Sequence, residues 1–328
     1  MEHHKTEQPS NKKFLEVQEP FFKKVPGRRR QPKPKWLKAQ IPAGEDYFRI
    51  KKSLEKRNLS TICQQARCPN ISECWNNYHA TFLIMGDTCS RDCKFCSVKS
   101  GKPKPLLAEE PGRVLEMVDI MKARYVVITS VTRDDLEDGG SSHFARVIAH
   151  LKMHRPGLKI EVLIPDFKGN TRHLDTVLEA NPDVLNHNLE TVKRLYPYVN
   201  RKAENYHISL KMLRYSHEKG FITKSGIMVG LGETWQEINE LFQHLGESGV
   251  KLLTIGQYLQ PIKENVPVEK YYRPEEFAQL KEIAFSHGFT AVESDPFVRS
   301  SYQASRMYEK VLKNFENLVP GKNQESQS

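Results

Sequence analysis

Six cysteines form the most chemically specific pattern in this 328-residue sequence, and all six lie between Cys63 and Cys96. They divide into two triplets. Cys63, Cys68 and Cys74 are spaced C-x4-C-x5-C, and Cys89, Cys93 and Cys96 are spaced C-x3-C-x2-C. Three chemistries compete for such a set. Disulfides suit neither an odd-numbered group nor a reducing interior. Structural zinc wants four ligands, usually in paired knuckles, and His79 is close enough in sequence to complete one site. A [4Fe–4S] cubane has four irons, each wanting a soft ligand, so three thiolates on one loop hold three irons and leave the fourth open. Incidental thiols do not account for this density. The second triplet, with the aromatic Phe95 inside its final C-x-x-C, favours iron–sulfur.

The elements that must hold these residues follow from periodicity. A helix is expected from Glu45 to about Arg57, with Tyr47, Ile50 and Leu54 on one face. The first triplet then falls in a loop-like stretch, 61–79, where Pro69 and paired asparagines discourage a long helix. From residue 80, short apolar runs alternate with amphipathic helices. Strands are expected at 80–85, 124–129, 159–164, 183–188, 222–229 and 251–259, and helices at 108–122, 142–153, 172–180, 205–219 and 233–247. Gly157, Gly220 and Gly249 stand where C-terminal glycine caps are expected, and Asn181–Pro182 is another stop signal. A unit of about 30 residues is the size of a βα repeat. The expected fold is therefore α/β, a partial (βα)6 TIM-like barrel, with an open doubly wound sheet as the alternative. The C-x3-C-x2-C triplet follows the first strand, at the end where such barrels carry their chemistry. A further helix (274–287), a short run FTAVE, the segment DPFVRSSYQAS, a helix ending near Asn317 and a disordered tail complete the chain. The expected domains are a basic extended arm (1–44), an extension bearing the first triplet (45–79), the barrel (80–260) and a C-terminal extension (261–328).

Charge is distributed as unevenly as cysteine. The chain has 50 Lys+Arg against 40 Asp+Glu, a net +10, yet residues 1–60 hold 16 of the bases and 7 of the acids. The body is almost neutral. With 38% hydrophobic and 27% charged residues, the composition is that of a soluble globular protein. No apolar run approaches the roughly 18–20 residues of a membrane-spanning helix. The N-terminus MEHHKTEQPSNKK has no apolar stretch of signal-peptide type, and Glu2, Glu7, Glu16 and Glu19 fit a mitochondrial presequence poorly. A cytoplasmic location is the resulting expectation.

The sequence resembles the radical S-adenosylmethionine (SAM) superfamily, whose hallmark is a C-x3-C-x-aromatic-C loop after the first strand of a partial barrel. Within it, the chain is similar to the lipoyl synthase family from about Lys35 to Tyr302. The segments that carry the resemblance are PKWLKAQIPAGEDY, ICQQARCPNISECW, ATFLIMGDTCSRDCKFCSVKSGKP, VVITSVTRDDLEDGGSSHFA, NHNLETV, SGIMVGLGET, YLQP and VRSSY. The resemblance implies two [4Fe–4S] clusters. Cys89, Cys93 and Cys96 would hold the catalytic one, whose open iron chelates SAM and whose electron yields a 5′-deoxyadenosyl radical. Cys63, Cys68, Cys74 and Ser301 would hold an auxiliary cluster that gives up sulfur to C6 and C8 of a protein-bound octanoyl chain. An oxygen ligand is poorer than a thiolate for iron here, so an iron held by Ser301 can leave.

Other roles are less specific. Residue chemistry alone reads the serines of VRSSY as a helix N-cap; the resemblance assigns Ser301 to iron and leaves capping open for Ser300. Arg299 is a candidate to hydrogen-bond the substrate's acyl-amide region, with a surface ion pair as the alternative. The run from Gly226 through Gly230 to Glu233 resembles the apolar strand against which adenine packs, or is simply a buried strand. Asn188 and Glu190 are candidates for the ribose hydroxyls or the methionine amine, or a helix cap followed by a first-turn acid. Gly139-Gly140 is followed by Ser141 rather than by the superfamily's usual Glu, so the methionine amine is not assigned there. Gln64-Gln65 replaces the family's usual acid pair, and Gln303 its usual histidine. Neither change removes a ligand.

The resemblance also implies partners: octanoylated lipoyl domains of 2-oxoacid dehydrogenases and the H protein of glycine cleavage, a ferredoxin or flavodoxin donor, and an iron–sulfur carrier. The rival class is nucleic-acid binding, with a radical SAM tRNA methylthiotransferase as the nearest enzyme. The near-neutral body and the lack of an added basic C-terminal domain count against it. A charge run of this kind is usually a solvated arm; the functional alternative is that part of it lies over the barrel or steers an acidic, octanoylated carrier.

Overall fold

The computed structural model describes residues 32–38 and 41–318. Most of the expected arm and the expected disordered tail lie outside these residues. Within them, Leu37 is buried and Trp36 Nε1 donates to the Tyr272 carbonyl at 3.3 Å, which seats the end of the arm against the body.

Helix α1 (Glu45–Lys56) forms where the apolar spacing predicts, with Ile50 and Leu54 buried. The stretch 61–79 is less loop-like than expected. After the short strand β1 (Ser60–Thr61), it forms α2 (Ile62–Gln65) and α3 (Ile71–Asn76). The Thr61 side chain caps α2 by accepting from the Gln64 amide, and Tyr47 stacks on the fully buried Trp75 at 5.2 Å. Capping and packing by neighbours therefore stabilise helices too short to hold alone.

The barrel begins at β2 (Thr81–Ile84), followed by the small pair β3 (Thr88–Cys89) and β4 (Lys99–Ser100) and helix α4 (Glu110–Ile120). Then come β5 (Tyr125–Ser130), α5 (Ser141–His154), β6 (Lys159–Leu163), α6 (Thr171–Glu179), β7 (Val184–Asn186), α7 (Asn205–Glu218), β8 (Ile222–Val229), α8 (Trp235–Glu247) and β9 (Leu252–Gln257). All six expected strands are present. Helix α9 (Pro274–Ser286) leads into β10 (Ala291–Asp295), which adds to β9 in parallel where the run FTAVE carried no assignment. The sheet order is β1-β2-β5-β6-β7-β8-β9-β10, with β1 antiparallel and the other seven strands parallel. Order follows the chain without the reversal of a doubly wound sheet, so the succession is that of a barrel, left open between β1 and β10. Of the expected glycine caps, Gly220 and Gly249 have φ of +88° and +78°, whereas Gly157 is not left-handed. Asn181, at φ +57°, ends α6 as its stop signal predicts.

The two ends of the barrel differ. At the starts of the strands, α10 (Ala304–Leu318) packs Met307, Tyr308 and Val311 against Val184, Leu252 and Ala291. Above it lies a fully buried ion pair, Lys224 Nζ to Glu161 Oε1 at 2.9 Å. Tyr125 OH and Asn186 Nδ2 also donate to Glu161, each at 2.8 Å. The Cys89–Cys96 loop follows β2 and emerges from the other end.

Candidate functional site

The second triplet is held by the turns that follow three strands. β2 runs into Met85 (φ +66°) and Gly86 (φ +94°), and the Met85 amide donates to buried Glu110 at 2.9 Å. Ser90 donates through Oγ to the Thr132 carbonyl at 2.9 Å and accepts from the Asp134 amide, beyond β5. Arg91, between Cys89 and Cys93, bridges Asp134 after β5 and Asp166 after β6, with four contacts of 2.7–3.0 Å. Burial alone would raise the Asp166 carboxyl, but the Arg91 guanidinium outweighs it and holds it well below the usual range. Asn265 donates to the carbonyls of Lys94 and Cys96 at 2.9 and 3.0 Å. Backbone amides of Arg91 and Thr132 point at Cys89 Sγ, and that of Val98 at Cys96 Sγ, each at 3.4 Å.

The first triplet is distributed over α2, the turn after it and α3. The Cys68 amide donates to the Cys63 carbonyl at 2.9 Å, and Asn70 Nδ2 reaches the Phe297 carbonyl at 2.7 Å. The latter bond ties this extension to the C-terminal one. Ser301 comes from the turn after β10, and its Oγ accepts from Thr81 Oγ1 at 2.7 Å. Gly256 makes this crossing possible: a Cβ there would sit 2.1 Å from the Val298 carbonyl oxygen. Cys63, Cys68, Cys74, Arg299 and Ser301 thus line one cavity.

A second cavity adjoins it and shares Cys63, Cys68, Arg299 and Ser301. Its other walls are Asn188, Glu190, Gly226, Met228 and Gly256, with apolar cover from Ile62, Val127, Leu163, Ile227 and Val298. Glu190 has φ +70° and bridges β8 at Ile227, and its charge is felt by both Cys93 and Cys96. The cavity therefore lies between the triplets. Ser97 Oγ also donates to the Gln65 carbonyl, which joins the two cysteine segments directly.

The two triplets are soft thiol donor sets of the kind iron takes. All six cysteines are unbridged. Burial pushes the thiols of Cys63 and Cys93 up to about 11 and those of Cys74 and Cys96 to about 12, so their thiolates need a cation to form. Among the described residues no three His, Cys, Asp or Glu side chains converge on one ion, with or without His79. In a cubane each thiolate binds its own iron, so the ligands stand farther apart.

Several sequence expectations change. Neither serine of VRSSY caps α10, which begins at Ala304 after Gln303 at φ +52°. Ser300 Oγ instead accepts from Asn188 Nδ2 at 3.3 Å. Arg299 makes no ion pair among the described residues. Its Nη1 donates to the Val298 carbonyl at 2.6 Å, and burial lowers its pKa despite the pull of Cys68. Asn188 and Glu190 do not start an α-helix. Gly230 lines neither cavity. It lies beyond β8 in a turn at φ +107°, its amide bound to Glu233, and alternation along the strand turns Gly226 and Met228 inward instead. Phe95 also lines neither cavity and packs against the apolar cluster around Leu189 and Tyr196. The reading of single residues did not find Arg91, Asp166, Asn265 or Thr81. Only the RDC within the cysteine loop hinted at the first.

The sequence profile of the Radical SAM superfamily matches residues 83–245, and that of the N-terminal domain of lipoyl synthase of the radical SAM family matches residues 3–68. A curated lipoyl synthase of Rubrobacter xylanophilus is 50% identical over 86% of this chain and 88% of its own. Those of Bacteroides fragilis and Myxococcus xanthus are 50% and 47% identical, over 84% and 87% of this chain and 95% and 97% of theirs. Among solved structures, methylornithine synthase matches with a TM-score of 0.50 at 14% identity, over 84% of this chain and 94% of its own. The hydrogenase maturase HydG matches with 0.50 at 14%, over 80% and 79%. At that identity the likeness concerns the fold, a radical SAM partial barrel. The cysteine loop at the barrel mouth, the second triplet beside it and the relatives' identity over most of both chains all agree: the chain belongs to the lipoyl synthase family of the radical SAM superfamily.

Proposed function

We propose that the two triplets divide the work of lipoyl synthesis, Cys89, Cys93 and Cys96 serving radical formation and Cys63, Cys68, Cys74 and Ser301 serving sulfur donation. As a lipoyl synthase the chain is a sulfurtransferase that uses SAM and a [4Fe–4S] cluster. When bound and reduced, that cluster supplies the electron that cleaves the SAM sulfonium to give a hydrogen-abstracting radical. A second [4Fe–4S] cluster would supply the two sulfurs. The observation that carries this reading is the shared cavity, with Cys63, Cys68 and Ser301 on one wall and Asn188 and Glu190, coupled to Cys93 and Cys96, on the other.

The chain's own residues would act as follows. Asn188 Oδ1 is buried without a partner and offers an acceptor to a ribose hydroxyl or the methionine amine. Glu190 adds a carboxylate beside it, raised by burial and moderated by Arg201. Met228 and the inner face of β8 offer an apolar wall for adenine. Arg299, without a carboxylate partner among the described residues, is free to donate to the substrate's acyl-amide carbonyl. The apolar lining keeps water from a reactive radical.

The protein partner is a lipoyl carrier. Lipoyl domains and the glycine-cleavage H protein are the proposed carriers, a ferredoxin or flavodoxin the electron donor, and an iron–sulfur carrier the source of cluster repair. No helix among the described residues is long and apolar enough to cross a membrane; a cytoplasmic site of action is proposed. The tRNA-modifying alternative is not favoured by relatives that are lipoyl synthases. The test is anaerobic reconstitution followed by an octanoyl-lysyl peptide, SAM and a reductant. About eight irons per chain are expected, with a peptide product carrying two sulfurs. Conversion of a tRNA but not of the peptide would overturn the reading.

A further inference from the structure

Thr81 opens β2, a strand whose four residues are all buried, and its three successors Phe82, Leu83 and Ile84 are apolar. A hydroxyl in that position requires a partner. It has one: Thr81 Oγ1 donates to Ser301 Oγ at 2.7 Å, across 220 residues of sequence. Thr81 is 3% exposed and lines both cavities. The antiparallel pairing of Thr61 with Phe82 also brings the start of α2 alongside it, and Cys63 lines both cavities with it. One residue of the barrel's first strand therefore bonds one of the four proposed ligands of the auxiliary site and lines the cavity that the other three share.

We propose that Thr81 is a positioning residue for Ser301, fixing the serine oxygen so that its remaining lone pair faces the space among Cys63, Cys68 and Cys74. The inference rests on the four-ligand reading above. A serine hydroxyl is a free rotor with two acceptor positions. A short O–H···O bond occupies one of them and orients the other. Without that bond, the oxygen turns among rotamers, and the iron it holds is lost before turnover calls for it. Thr81 thus keeps the weakest ligand engaged at rest while leaving it weak enough to release.

The test uses full-length protein with Cys89→Ala, Cys93→Ala and Cys96→Ala, so that only the auxiliary site loads, carrying in addition Thr81→Val or Thr81→Ser. Iron content, electron paramagnetic resonance and the rate of iron loss to a chelator are read after anaerobic reconstitution. The parent and Thr81→Ser should hold about four irons. Thr81→Val, nearly the same shape without the hydroxyl, should hold about three, show a [3Fe–4S] signal and release iron up to about tenfold faster. Its apoprotein should melt with the parent. Four irons and the parent's release rate in Thr81→Val would overturn the inference. A lowered melting point, with iron loss that Thr81→Ser does not repair, would assign the residue to packing and overturn it too. A parent that loads no cluster would sink the four-ligand reading itself, and this inference with it.

Discussion

Full-length protein with Cys63, Cys68 and Cys74 all changed to alanine should still cleave SAM but add no sulfur to the octanoyl chain. The expectation follows from how separately the triplets are supported. The Cys89–Cys96 loop is anchored by Arg91 to Asp134 and Asp166, by Ser90 to Thr132 and by Asn265, none of which belongs to the first triplet's segment. The first triplet is anchored instead by the Thr61 cap, by Asn70 on Phe297 and by Ser301 on Thr81. The direct link seen between the two segments, Ser97 to the Gln65 carbonyl, uses the backbone and survives the substitutions. Iron should fall from about eight to about four per chain. 5′-Deoxyadenosine should form at a rate within a few-fold of the parent, while the thiolated peptide falls below detection. Sulfur insertion by this variant would remove the first triplet from the chemistry.

The second large effect concerns stability. Lys224→Met leaves Glu161 buried without its cation, at a site where both side chains are fully enclosed. Removing one partner of such a pair costs on the order of 3–5 kcal/mol. The Asn186 and Tyr125 donors to Glu161 offset only part of that. Glu161→Gln/Lys224→Met should be the milder change, because a glutamine keeps an acceptor for Asn186, can donate its amide to the Tyr125 oxygen, and carries no charge. Denaturant unfolding of the three proteins checks this. Equal losses in the single and double variants would show that packing, and not the isolated carboxylate, sets the cost. Asn186 also lines the cavity between the triplets, so the pair supports the floor on which that cavity rests.

The residues that were legible in the sequence are those whose signal is local. Strand runs such as ITKSGIMV are short stretches set between amphipathic helices, and β8 coincides with that run. The cysteine spacings are local too, and the structure places the second triplet on one loop and the first over α2, a turn and α3. Signals that depended on what lies across the fold were harder to read. The serines of VRSSY have the chemistry of a cap, and only the approach of the β10 turn to β2 shows Ser301 beside Thr81. Gly230 stands in a glycine-rich run that suggests ligand contact, yet its left-handed turn carries the chain away from the cavity. The run FTAVE becomes a strand because β9 offers an open edge. Arg91 has no periodic signal and only its place inside the cysteine loop to mark it, since its partners Asp134 and Asp166 follow different strands.

The central claim is that the first triplet's cluster is consumed as the sulfur source. Its most direct test is to reconstitute the full-length protein with ³⁴S-sulfide, remove free sulfide, and run a single turnover on an octanoyl-lysyl peptide in unlabelled buffer. The account predicts a peptide whose two new sulfur atoms are both ³⁴S, with iron lost from the auxiliary site in step. A product carrying sulfur of natural abundance, formed while the auxiliary cluster stays intact, would contradict it.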